Sequence, residues 1–161
     1  MAITYVVGDA TNPVGEDRRI IAHVCNDIGA WGAGFVVAIS RRWKEPEKCF
    51  REWYRGRDSN NFELGAIQIV SVAETLSVAN MVGQHGIARR ADSPGKEPPV
   101  RYSAITKCLS RLADYALADE ASVHMPRIGC GLAGGTWDRI EPLIINNLVQ
   151  RGVAVTVYDF G

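Results

Sequence analysis

The chain has 161 residues, 47% of them hydrophobic, which is enough for one domain with a substantial core and too few for two ordinary ones. Lysine plus arginine and aspartate plus glutamate both number 18, so there is no polybasic footprint and direct nucleic-acid binding is not indicated. Four cysteines, at positions 25, 49, 108 and 130, form no C-x-x-C pair and match no zinc spacing, so neither a metal nor a cofactor is expected. With no signal-peptide pattern at the start and no apolar run of about 18 residues, the expected setting is cytoplasmic, with reduced thiols and no membrane contact.

Ile3–Val7 reads as a first strand that ends at Gly8-Asp9-Ala10, and a second strand is expected over about Arg19–Asn26. Between that strand and a helix running to about Trp43 lies a glycine-rich turn with Gly29, Gly32 and Gly34, spaced G-x-x-G-x-G. This differs from the dinucleotide fingerprint. Pro46 suits the first turn of another helix. Strands are expected over about 66–73 and 76–82, and the short Glu74-Thr75 connection makes them an antiparallel hairpin. Residues 83–99, with three prolines and three glycines, form the longest irregular stretch. A helix over about 103–117, a strand over 121–126 and a second glycine-rich turn, Gly129–Gly135, come next. Thr136 then sits where a helix N-cap belongs, Gly152 ends that helix, and 153–160 alternates as the last strand. Strands alternating with helices around one hairpin predict a three-layer α/β/α domain on a mixed sheet.

Two glycine-rich turns that each leave a strand and enter a helix are a more specific signal than one. If their strands are neighbours, both helix starts face one crevice at the carboxyl edge of the sheet, which suits a diphosphate. Three side chains at strand ends have two readings each. Asp9 either accepts from an exocyclic amine of adenine or bonds its own turn. Asn26 either meets a sugar hydroxyl or ends its strand with an Asx turn, and Phe160 either stacks on a base or packs on the core. Of the histidines, His23 and His124 lie inside strands and read as structural, whereas His85 begins the long loop and is placed to act as an acid or base.

These pieces together resemble a macro domain. The resemblance covers nearly the whole chain and rests on Gly8-Asp9-Ala10, His23-x-x-Asn26 with Trp31-Gly32-x-Gly34, Val78–Val82, and Ala121 through Gly131. Trp31 and Trp137 make it most similar to the subgroup that holds a chromatin-remodeller macro domain, a terminal ADP-ribose protein glycohydrolase and a yeast ADP-ribose 1″-phosphate phosphatase. The resemblance implies a three-layer α/β/α fold on a mostly parallel sheet. It also implies an ADP-ribose site in which Asp9 and Ala10 hold adenine while Asn26 and Trp31 border the distal ribose. Gly32, Ala33, Gly34 and Phe35 would line one side of the diphosphate. Gly129, Cys130, Gly131, Leu132, Ala133, Gly134 and Gly135 would line the other through their amides, and Phe160 would cover the base.

Two features depart from the glycohydrolase pattern. Gly83-Gln84-His85 stands where that enzyme has a nucleophilic lysine, and Ala133 stands where it has an aspartate. The implied activity is hydrolysis of ester-linked ADP-ribose on acidic side chains of modified proteins, with Asn26 positioning a water and His85 as proton donor. The alternatives are a non-catalytic reader of ADP-ribose or its polymer, and a phosphatase acting on ADP-ribose 1″-phosphate.

Overall fold

The apolar run Ile20-Ile21-Ala22 is buried on both faces because it lies in the middle of a covered sheet. The computed structural model describes residues 2–87 and 97–160. In chain order the elements are β1 (Thr4–Val7), β2 (Arg19–Asn26), α1 (Phe35–Arg42), α2 (Glu45–Arg55), β3 (Ile67–Ala73), β4 (Leu76–Gln84), α3 (Tyr102–Asp119), β5 (Ser122–Met125), α4 (Trp137–Asn147) and β6 (Val155–Asp159). The six strands form one sheet in the order β1-β6-β5-β2-β4-β3, parallel throughout except for the β3–β4 hairpin. This is the mixed α/β sheet that the strand–helix alternation predicts.

Residues of opposite parity along β2 feed opposite cores. Ile20 and Ala22 pack with Ile105, Leu109 and Leu112 of α3 and Ile140 and Ile144 of α4. Ile21 and Cys25 pack with Ile39 of α1 and with Phe50 and Trp53 of α2. The period-2 alternation of a strand therefore serves two helical layers at once.

Three boundaries differ from the sequence expectation, two of them because of the neighbouring strand. β6 stops at Asp159, where its partner β1 ends in the pair Val7–Asp159, so Phe160 lies beyond the sheet. β4 runs on to Gln84, which pairs with Asn26, so Gly83 and Gln84 belong to the sheet and not to a loop. The helix expected to reach Gly152 is α-helical only to Asn147, and a 3₁₀ turn, Val149–Arg151, carries the chain to Gly152 in the left-handed conformation.

Two buried histidines tie the layers together. His23 is bonded through Nε2 to Oδ1 of Asn80 at 2.6 Å, and the Asn80 amide donates to the Pro46 carbonyl and to Gln68. This fastens α2 to β2, β3 and β4. His124 stands in a chain whose ends fix its polarity, because a carboxylate only accepts and an amide N–H only donates. Val14 N–H donates to the Tyr158 hydroxyl, which donates to His124 Nδ1. His124 Nε2–H donates to Ser122 Oγ, and the Ser122 hydroxyl donates to Asp17. The chain pins the long β1–β2 connection onto the sheet.

Burial pushes both imidazoles down to about 4. It is opposed by the Asn80 hydrogen bond at His23 and by the Asp17 charge at His124. The unfolded chain, with ordinary histidines near 6.5, therefore takes up protons first as pH falls. Stability is present in full above about pH 6.5 and is lost towards pH 4, by up to about 1.4 kcal/mol per pH unit for each ring. Denaturant midpoints should drop across that window. An NMR titration in which either ring of the folded protein protonates near its ordinary value would overturn the assignment.

Candidate functional site

Because β2 and β5 are parallel neighbours, the loops that leave them both lie at the carboxyl edge. The first loop crosses to the α1 face and the second to the α4 face. The divergence opens a cleft between them, as at the switch point of an open α/β sheet. A hollow of about 360 Å³ there is lined by Ala33, Gly34 and Phe35 from one loop and by Arg127 through Ala133 from the other. It adjoins a hollow of about 210 Å³ bordered by Asn26, Gly32, Gln84, Ile87 and Leu132, and together they reach the size range of small-molecule sites.

Asn26 builds the first loop. Its Oδ1 accepts from the amides of Ile28 and Ala30, and its Nδ2 donates to the Ala30 carbonyl. Of the two sequence readings, the Asx-type turn is the one observed. The side-chain oxygen is thereby occupied twice, so a water positioned by Asn26, as expected from the sequence, would be met through Nδ2. Gly34, at φ 82°, caps α1 in a conformation that side chains rarely adopt. Trp31 also departs from expectation. Its ring is buried against His23 and Phe50, with Nε1 donating to Ser40, so it shapes the loop from behind and does not border the cleft.

The second loop closes on itself. Gly135 N–H donates to Gly129 O and Gly134 N–H to Gly131 O, so these two amides are spent internally and neither residue lines the cleft. Gly129, Cys130, Gly131, Leu132 and Ala133 do line it. Burial raises the Cys130 thiol, with Arg127 opposing, so it stays protonated. Thr136 occupies the N-cap position of α4 without a side-chain capping bond, and its amide instead donates to the Tyr102 hydroxyl.

Along the same edge lie the ends of the other parallel strands. Beyond β1, Asp9 Oδ1 accepts from both the amide and the hydroxyl of Thr11, and Oδ2 faces Arg42 of α1 at 3.4 Å. Burial raises the Asp9 carboxyl, but the Thr11 bonds and the Arg42 guanidinium outweigh it and hold it below the usual range. The turn bonds expected of Asp9 are present, with Ala10 buried behind it. Phe160 is 85% exposed, which rules out the core-packing reading. At the other end, beyond β4, His85 Nδ1 lies 2.7 Å from Asp27 Oδ2.

Sequence reasoning missed Asp27, Gln84, Arg127 and Asp159. Arg127 makes a two-point ion pair with Asp159 while lying over the rings of Tyr5 and Trp137. The only sequence signal for these four was position, since each stands within two residues of a strand end. Among the described residues no group of three or more His, Cys, Asp or Glu could hold a metal ion, and no helix is long and apolar enough to cross a membrane.

No protein-family model matches the chain. A macrodomain protein from Streptomyces coelicolor of known structure is 55% identical, with 99% of each chain covered and a TM-score of 0.86. The chromodomain-helicase-DNA-binding protein 1-like of Danio rerio is 32% identical over 165 residues; the match takes in 99% of this chain, which spans only 16% of that protein. An ADP-ribose 1″-phosphate phosphatase of Meyerozyma guilliermondii is 25% identical, with 97% of each covered.

The loops make opposite demands on their glycines. A Cβ on Gly135 would stand 2.3 Å from the Gly129 carbonyl oxygen, whereas one on Gly32 would meet nothing within 4 Å. Gly135→Ala should therefore destabilise the fold by about 1–3 kcal/mol, the range for forced overpacking. Gly32→Ala should stay within about 0.5 kcal/mol of the parent, as a surface change does. Thermal unfolding of the two variants side by side checks the ordering.

Proposed function

Because this chain belongs to the macro domain family, we propose that it binds ADP-ribose along the carboxyl edge of its sheet and hydrolyses ester-linked ADP-ribose from acidic side chains of modified proteins. The observation that carries the reading is the pair of glycine-rich loops from adjacent parallel strands, which line one cleft together with the start of α1. Loop amides and helix starts offer unpaired N–H groups to an anion, and a diphosphate lying between the loops meets both.

The remaining strand ends suit the rest of the ligand. Four strand spacings separate β1 from β4, roughly 19 Å at about 4.8 Å each. At the β1–β6 end, exposed Phe160 offers a face for adenine and Asp9 an acceptor for its amine. At the β2–β4 end, Asn26 and Gln84 border the smaller hollow, which would take the distal ribose, with His85 the next residue after Gln84. Bending the diphosphate over that ribose holds the ester in place for attack by water, so orientation and electrostatic stabilisation carry the rate. Acting on ADP-ribose 1″-phosphate is a second reading, supported by the phosphatase relative that matches 97% of the chain. The group it would remove sits on the same carbon.

Calorimetry should give an ADP-ribose affinity in the micromolar range or tighter, about −8 kcal/mol at one micromolar. Gly32→Glu, which adds a carboxylate in open space beside the diphosphate, should abolish it without unfolding the protein. Asn26→Ala should weaken binding and turnover together, because the residue shapes the loop. Incubation with a glutamate-linked substrate should release ADP-ribose without a borohydride-trappable adduct. Gly83-Gln84-His85 at the end of β4 has no amine to form one, and Lys96, the nearest lysine downstream, lies outside the described residues. Binding without release from either the ester or the 1″-phosphate would leave a reader.

A further inference from the structure

Asp27 and His85 stand at the carboxyl ends of β2 and β4, each one residue past the pair Asn26–Gln84 that closes the ladder. Their neighbours Asn26, Gln84 and Ile87 border the smaller hollow of the cleft. Asp27 is mostly covered, its side chain only 17% exposed, and both carboxylate oxygens are engaged. Oδ1 accepts the Gly86 amide at 2.8 Å and Oδ2 faces His85 Nδ1 at 2.7 Å. The His85 side chain is 63% exposed. A carboxylate has no proton to give, so the hydrogen between the two groups sits on Nδ1. In the neutral ring Nε2 then carries the free lone pair.

We infer that Asp27 and His85 form a base dyad at the distal end of the cleft, in which Asp27 sets the tautomer and His85 Nε2 takes a proton from the attacking water. The inference rests on the hydrolase reading above and replaces the proton-donor role expected of His85 from the sequence. The water oxygen bonds to the anomeric carbon of the distal ribose while one of its protons passes to Nε2. The bond from that carbon to the ester oxygen breaks, and its electron pair leaves on the side-chain carboxylate. A carboxylate is stable unprotonated at neutral pH, so the departing group needs no acid, and a single base is sufficient. The imidazolium, held beside Asp27, then returns its proton to solvent. Asp27 touches no reacting atom and acts as a positioning residue; His85 is the catalytic one.

The Gly86 contact makes one variant decisive. In Asp27→Asn the Gly86 N–H still needs an oxygen, so the asparagine carbonyl stays on Gly86 and its amide turns to His85. That amide donates, so Nδ1 must accept and the ring proton moves to Nε2, leaving no lone pair for the water. Nitrogen-15 NMR of the ligand-free protein should show His85 protonated at Nδ1 in the parent and at Nε2 in Asp27→Asn. On a glutamate-linked substrate, Asp27→Asn and His85→Gln should each lower kcat by about 10²–10⁴-fold, the range for losing a general base. KM and ADP-ribose affinity should change by less than about twofold, since the introduced asparagine keeps the Gly86 bond and neither change alters Ala33 to Phe35 or Gly129 to Ala133, which line the cleft. Imidazole in the buffer should restore part of the turnover of His85→Gly. In heavy-oxygen water the freed glutamate side chain should stay unlabelled.

Full turnover by His85→Gln, or an unchanged tautomer in Asp27→Asn, would overturn the dyad while leaving the hydrolase reading intact. Label in the glutamate side chain would move the attack to the acyl carbon and overturn the step as written. A parent protein that binds ADP-ribose yet releases none from the ester would overturn the hydrolase reading and the dyad with it.

Discussion

The parallel pairing of β2 with β5 is the constraint on which the cleft depends. Two neighbouring strands running the same way point to the same edge, so the connections that follow them both lie along it. Had both connections crossed to the same face, their loops would have stacked and closed the gap. Here one goes to the α1–α2 layer and the other to the α3–α4 layer, and the gap stays open. The pairing also explains why β2 is apolar on both faces, since it is the strand that both helical layers cover.

Much of the polar chemistry in the structure holds this arrangement in place and leaves little over for a ligand. Asn26 uses both ends of its amide on its own loop, and Gly134 and Gly135 turn their amides inward. Asp9 is bound by Thr11 and Arg42, and Trp31 supports its loop from the core side. A site made largely of backbone groups needs such supports, because an amide can be aimed only by fixing the chain on both sides of it. Side-chain chemistry is then concentrated at the ends of the edge, at Phe160 and the Arg127–Asp159 pair on one side and the Asp27–His85 pair on the other.

The two buried histidines show how the same residue type serves opposite ends in one fold. His23 and His124 are enclosed, held neutral and used as rigid cross-links between strands, loops and helices. His85 is exposed just past the end of β4 with one nitrogen anchored by Asp27. Reading His23 and His124 as structural and His85 as the chemically available one required only their positions in or after a strand.

Local pattern was sufficient for the elements themselves. The apolar run in Arg19–Asn26, the alternation over 153–160, the short Glu74-Thr75 connection and the helical spacing after each glycine-rich turn depend on residues close in sequence, and the observed strands and helices follow them. The same holds for the glycine-rich loops, whose composition reports a backbone requirement directly. What no local pattern contains is which strands are neighbours. That order places Asp27 beside His85 across 58 residues and Arg127 on Asp159 across 32, and it carries β4 on to Gln84 because Asn26 lies opposite. It also decides how Trp31, Asn26 and Asp9 spend their polar atoms, because a side chain bonds to whatever the fold brings within reach. The sequence by itself determined two anion-ready loops on an α/β frame. Only the tertiary structure, by setting β5 against β2, turned them towards each other and decided which side chains were left facing the space between.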